Sequence, residues 1–211
     1  MSKIYLISPS KINKNDFLPR LSRVLRTSLV PIFQLRIKEY PYSEIKIIAK
    51  EVKKICDDNN CVFIVNDYYD IARDVGANGV HIGLEDNSLQ NIAKYFDKNF
   101  IVGVSCYDSK QLALQAQENN ASYVSFGAFY ETKTKKSKGK PSIDLIRWAK
   151  ENLNIPNVAI GGINNINCEN LVKAKADYIA VISYVWNAID NEENAIKSLN
   201  KACVFNGTAT N

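Results

Sequence analysis

The sequence predicts a single-domain α/β chain folded as a closed (β/α)8 TIM barrel, on three observations. Short β-rich runs recur along the 211 residues, each followed by a stretch of helical period. The runs number eight, the count at which a parallel sheet closes on itself. No Pro/Gly/Ser-rich linker divides the chain, and 46% hydrophobic with 23% charged residues suits one domain with a sizeable core. The alternative is an open doubly wound sheet, but no GxGxxG turn follows the first strand.

The elements follow in order. Strand-like runs are KIYLIS (3–8), PIFQLR (31–36), CVFIVN (61–66), GVHIG (79–83), FIVGVS (100–105), SYVSFG (122–127), NVAIG (157–161) and DYIAVI (177–182). Helical period covers 15–27, 43–58, 68–75, 88–96, 109–119, 142–152, 165–174 and 187–202. Asp108 or Ser109 is placed to cap the helix carrying QLALQAQ, Asn165 the one carrying INCENLVKA, and Pro141–Ser142 opens another. The barrel is expected over 1–202, and the polar end of 203–211 reads as a disordered tail.

Composition narrows the function classes. No apolar run approaches the ~20 residues of a membrane span, and the first ten residues lack a signal peptide's long apolar region. Five scattered cysteines without a CxxC pair, and a single histidine, leave no Cys/His zinc site and point to packing residues in a reducing cytosol. Net charge is +5, and the five lysines of FYETKTKKSKGK (129–140) account for all of it. The basicity is therefore local, with too few aromatics for a nucleic-acid face, and suits a small anion. His81, the lone histidine, reads as a structural strand residue, and Trp148 and Trp186 as core or rim.

A parallel barrel presents its chemistry at the C-terminal ends of its strands. Period-two alternation puts Gln34, Arg36 and Lys38 on one face after strand 2. Strand 3 ends in Asn66–Asp67, and strand 4 leads to Glu85–Asp86. Asp67 and Asp86 would emerge side by side from neighbouring strands, where close carboxylates repel unless a proton or a cation lies between them. Without imidazole or thiolate partners, a hard oxygen-preferring ion such as Mg2+ fits, completed by water and phosphate oxygens. Arg36, Lys38 and the lysine loop would hold such a phosphate. Gly161–Gly162 after strand 7 and the turn at Ser183 after strand 8 match the barrel's usual phosphate position. Two anion sites, and so two phosphorylated reactants, are expected. Taken singly, Asp67 and Asp86 are better suited to capping helices, and only as neighbours facing basic residues do they favour a metal; Ser105 suits a strand-end hydrogen bond as well as catalysis.

These residues also carry a family resemblance. Arg36–Ile37–Lys38, Val65–Asn66–Asp67, the run Gly79 to Asp86, Gly103–Val104–Ser105, Thr132–Lys133–Thr134–Lys135, Ile160–Gly161–Gly162–Ile163 and Ala180–Val181–Ile182–Ser183 resemble, in order, the motifs of thiamine-phosphate synthases. The resemblance implies a cytoplasmic transferase that joins hydroxymethylpyrimidine diphosphate to thiazole phosphate, releasing pyrophosphate by a dissociative, Mg2+-assisted step. It implies that Asp67 and Asp86 hold Mg2+, and that Arg36, Lys38 and Lys135 bind the diphosphate. Gln34 and Asn66 would orient the pyrimidine. Ser105 would lie near the pyrophosphate, with Arg36 and Lys135 completing the catalytic set. Thr132 and Thr134 would line a closing loop, and Gly162 with Ser183 would receive the thiazole phosphate. The sequence departs from the family pattern at Leu84, Glu131 and Cys106–Tyr107. Two other readings stay open here: an isomerase like the related thiazole tautomerase, and a barrel that binds phosphorylated ligands without turnover. The tautomerase uses a histidine where this chain has Cys106–Tyr107, and lacks a counterpart of Asp86.

Overall fold

A computed structural model of the chain describes residues 1–83, 99–132, 139–189 and 191–204. Eight strands close into one barrel: β1 Lys3–Ile7, β2 Ile32–Leu35, β3 Val62–Asn66, β4 Gly79–Gly83, β5 Ile101–Tyr107, β6 Tyr123–Phe126, β7 Asn157–Ile160 and β8 Tyr178–Val181. Every neighbouring pair is parallel, and β8 closes on β1 through Lys3↔Tyr178 to Leu6↔Val181. The described helices are α1 Lys14–Leu25, α2 Tyr42–Asp58, α3 Tyr69–Asp74, α4 Lys110–Glu118, α5 Ile143–Asn152, α6 Glu169–Lys173, α7 Ser183–Trp186 and α8 Glu192–Cys203. The helix expected at 88–96 lies outside the described residues.

The strands read as nearly continuous apolar runs because both of their faces are covered. Period two then sorts the side chains into two cores. Ile4, Leu6, Phe33, Phe63, Val80 and Val104 point outward into the large layer shared with the helices. Tyr5, Ile7, Tyr123, Val158 and Ala180 point inward and fill the barrel. Each such aliphatic or aromatic side chain contributes roughly 1.5–3 kcal/mol by leaving water. The outer layer is drawn shut at the seam. Trp186 Nε1 donates to Ile7 O at 2.7 Å, and Arg20, lying over the Trp186 ring, donates through Nε to Glu192 Oε1 at 2.5 Å.

Several local expectations change. β5 runs past Ser105 to Tyr107, with a register shift between the two and Tyr107 at φ +55°. Ser109 is the cap of α4, accepting from Leu112 N at 3.2 Å. The helix expected from 165 begins only at Glu169, after Cys168; Asn165 instead donates to Ser198 Oγ from its amide at 2.9 Å. The helix expected over 187–202 begins only at Glu192, where Asn191 caps the start by accepting from Asn194 N at 2.7 Å, and the short α7 precedes it at Ser183–Trp186. Cys203 is fully buried at the end of α8, so the folded part includes it, while 205–211 lie outside the described residues.

Candidate active site at the C-terminal strand ends

The inward positions change character along the strands. Toward the C-terminal ends of β2–β6, Gln34, Asn66, His81, Ser105 and Ser125 take the places that apolar residues hold below them. Beyond them the strands open into a cavity of about 520 Å³. That is an ordinary size for a small-molecule site.

Alternation after β2 continues past the strand itself. Leu35 and Ile37 go to the outer core, whereas Gln34, Arg36 and Lys38 line the cavity. The segment is held by backbone contacts: Arg36 N donates to Ser8 Oγ at 2.8 Å, and Lys38 N donates to Ser10 O at 2.9 Å. Gln34 is buried, Arg36 half-buried and Lys38 exposed, a gradient from barrel floor to solvent. Burial pulls the Arg36 guanidinium below its ordinary range, and the nearby Asp67 carboxylate pulls it back up. An anion in the cavity would act in the same sense as Asp67.

Asn66 is buried in the wall, and Asp67 is exposed at the rim. Asp67 holds a left-handed backbone (φ +65°), with its N–H donating to His81 O at 2.8 Å. That hydrogen bond is the last rung of the β3–β4 ladder, and the left-handed backbone at Asp67 then turns the chain with Asp67 on the cavity rim. It is not the side-chain cap of α3, since Tyr68 occupies that position without a side-chain hydrogen bond. Tyr107 stands near this carboxylate: burial raises its phenol first, and the Asp67 charge adds to the rise.

The opposite wall is built from β7, β8 and β1. Val158, Ile160, Ala180 and Ile182 present apolar surface, and Gly161 and Gly162 follow at φ +104° and +64°. A Cβ on Gly162 would sit 2.4 Å from Glu131 O, so only glycine lets the two loops lie together. The loops are also laced by Tyr130 N donating to Gly161 O at 3.0 Å. Ser183 is exposed at the start of α7 and, with Asn164 and Thr132, completes the rim. Glu131, a departure from the family pattern, is exposed on the same rim. At the end of the lysine loop, Lys140 N donates to Asp108 Oδ2 at 3.2 Å.

One cavity thus gathers Gln34, Arg36, Lys38, Asn66 and Asp67 with Ser105, Thr132, Gly162 and Ser183. Thr134, Lys135 and Asp86 lie outside the described residues, as does Leu84. Sequence reasoning missed Tyr5, Tyr107, Tyr123 and Ser125, and gave His81 no part in the site; all five line the cavity. His81 contacts the Tyr123 hydroxyl through Nδ1 and the Ser105 hydroxyl through Nε2, each at 2.9 Å. Gly103 was a visible signal for Tyr123: a Cβ there would lie 1.9 Å from that ring, so the glycine is what lets the tyrosine cross the barrel.

Such an arrangement defines a barrel enzyme for small anionic substrates, with side-chain donors and cations on one wall and a glycine turn on the other. The comparisons narrow this class. Residues 4–185 match the thiamine monophosphate synthase family, and the chain belongs to it. It is 40% identical over 184 residues to a thiamine-phosphate synthase of Pelagibacter ubique, covering 87% of this chain and 88% of that one. The corresponding protein of Rhodospirillum centenum is 36% identical over 199 residues, covering 94% and 96%. The thiamine phosphate pyrophosphorylase structure from Pyrococcus furiosus superposes with a TM-score of 0.82 at 31% identity, covering 95% of each chain.

Proposed function

We infer that the chain joins hydroxymethylpyrimidine diphosphate to thiazole phosphate, forming thiamine phosphate and releasing pyrophosphate. Family membership supports the reaction, and the observation that carries the site assignment is the pairing of two unlike walls around one cavity. Arg36 and Lys38, joined by Lys135 of the lysine loop, bind the diphosphate; Arg36 does so with a fork of donors. Gln34 and Asn66 orient the pyrimidine from the floor of the same wall. Gly162 and Ser183 receive the thiazole phosphate through backbone N–H and hydroxyl donors. Thr132 and Thr134 complete the contacts from the loop.

The chemical step is read as dissociative: the C–O bond to the diphosphate breaks first, its electron pair leaving with the pyrophosphate, and the thiazole nitrogen then attacks the pyrimidine-methyl cation. Charge grows on the leaving oxygens during this step, so fixed cations and hydrogen-bond donors there lower the barrier. Ser105 and Arg36 supply such donors. The apolar surface of Ile160, Val158 and Ile182 keeps water from capturing the cation before the thiazole does.

Asp67 fits a Mg2+ ligand: an exposed, hard carboxylate aimed at the cavity, suited to an ion that takes one or two carboxylates and completes its shell with water and phosphate. Asp86 is assigned as its companion. Bound there, Mg2+ would neutralise charge on the departing pyrophosphate. Small phosphorylated compounds are the partners in this reading. Among the described residues no helix is long and apolar enough to cross a membrane, and the five cysteines are free and buried, which supports a reducing cytosolic setting.

The test is to incubate the protein with both phosphorylated substrates and Mg2+ and to measure thiamine phosphate by chromatography. Product is expected, and is expected to vanish with EDTA and in Asp67→Ala. Binding of both ligands without product would replace the synthase by a non-catalytic barrel. Product that survives EDTA would remove the metal.

A further inference from the structure

The floor of the cavity is crossed by a continuous line of polar side chains from strands far apart in sequence. Gln34 Nε2 donates to the Tyr5 hydroxyl at 2.9 Å, and the Tyr5 and Tyr123 hydroxyls are 2.6 Å apart. Tyr123 meets His81 Nδ1, and His81 Nε2 meets Ser105 Oγ, both at 2.9 Å. Tyr5 is 1% exposed and Tyr123 5%, so both side chains are buried at the cavity floor. Burial pushes both phenols well above their ordinary range, so each carries its proton.

With the Gln34 amide nitrogen facing Tyr5, the protons in this line can be ordered in one way. Tyr5 already accepts from Gln34, and among the described residues its other hydroxyl partner is Tyr123. Its proton must therefore go to Tyr123, because a buried hydroxyl proton without an acceptor is costly. Tyr123, accepting from Tyr5, must in turn donate to His81 Nδ1. A donating Nδ1–H, in either the other neutral tautomer or the imidazolium, would meet the Tyr123 proton head-on. Alternatively, it would reverse Tyr123 and strand the Tyr5 proton. Nδ1 is thus the acceptor, and the ring's proton sits on Nε2, facing Ser105.

We propose that Gln34, Tyr5, Tyr123 and His81 form a one-directional hydrogen-bond chain that holds His81 as the Nε2–H tautomer, so that Ser105 accepts from His81 and offers its own hydroxyl proton to a substrate oxygen in the cavity. His81, Tyr5 and Tyr123 are positioning residues: they act through Ser105. Resting on the reading of the cavity above, that oxygen belongs to the leaving diphosphate. The chain then makes Ser105 a donor toward growing negative charge. With the opposite tautomer, Ser105 would spend its proton on His81 and turn a lone pair toward the anion.

His81 is the single histidine of the chain, so imidazole 15N labelling reports it alone. In the wild-type protein the NMR spectrum is expected to show one protonated nitrogen, Nε2, and an unprotonated Nδ1. Tyr123→Phe keeps the ring and removes the proton given to Nδ1. In that variant the tautomer is expected to redistribute, and kcat to fall about 10-fold, the scale of one hydrogen bond to a charged group. KM for the pyrimidine diphosphate should stay within about twofold. Adding Ser105→Ala to Tyr123→Phe should cost little beyond Ser105→Ala alone, because the pair acts as a unit. Protonation on Nδ1 or on both nitrogens in the wild type would overturn the proposal, as would an unchanged tautomer and full kcat in Tyr123→Phe. A wild-type protein with the Nε2–H signature but no thiamine phosphate product would remove the diphosphate reading and leave the proton order standing.

Discussion

In the proposed reading, the two walls of the cavity solve the same problem, holding a phosphorylated reactant, by different means. On β2–β6 the contacts come from side chains: Arg36, Lys38, Asn66, Asp67 and Ser105, supported from below by Gln34, His81 and Tyr123. On β7 and β8 the side chains lining the cavity are apolar, and the polar groups are those of the Gly161–Gly162 turn and the start of α7. The first wall is a network in which each group orients the next. The second depends on how closely two loops approach. A side-chain wall therefore fails atom by atom, whereas a backbone wall fails when a single Cβ is added.

The largest expected break is on the side-chain wall. Arg36→Ala removes the half-buried fork beside Asp67 and should lower kcat/KM on the order of 10²–10³-fold, as loss of a positioned charge stabiliser does. Steady-state kinetics at saturating thiazole phosphate checks it; a change under tenfold would take Arg36 out of the catalytic set. On the backbone wall, Gly162→Ala must both strain φ +64° and push Glu131 O from 2.4 Å. KM for the thiazole phosphate should rise roughly 10-fold, with KM for the pyrimidine diphosphate changed less than twofold. Equal rises for both substrates would mean that the walls do not divide the reactants.

Smaller effects sharpen the contrast. Gly103→Ala drives a methyl into the Tyr123 ring, and overpacking of this kind costs about 1–3 kcal/mol. At about 2–4 °C per kcal/mol for a chain of this size, Tm should fall by several degrees in a calorimetric scan. An unchanged Tm would show that the floor repacks freely. Lys38→Met removes an exposed charge at the rim. It should raise KM for the diphosphate only a few-fold, and the difference should shrink as ionic strength rises. A salt-independent loss would place Lys38 in direct, desolvated contact.

Much of this contrast was legible before any contact was known. The alternation in Gln34–Leu35–Arg36–Ile37–Lys38 separated core from cavity, because successive side chains on an extended segment must point to opposite faces. Gly161–Gly162 announced a turn that no larger residue can make. What the pattern hid was polar chemistry inside apolar-looking strands. Tyr5 and Tyr123 scan as ordinary strand aromatics, and a lone His81 between Val80 and Ile82 scans as a packing residue. Helix starts were less legible than strands: Asn165 offered a good cap, yet its side chain found Ser198 instead.

By itself the sequence determined the eight strands, the two faces of the Gln34–Lys38 segment, and the gathering of polar residues at the C-terminal strand ends. Those follow from local rules: the period of an extended chain, the backbone freedom of glycine, and the parallel direction that alternating helices impose. Only the tertiary structure decided that Tyr5 would touch Tyr123, 118 residues away, and that Tyr123 would touch His81, 42 residues away. The reason is physical. Those pairings depend on the register of non-adjacent strands across a closed barrel, and closure is a property of all eight strands together.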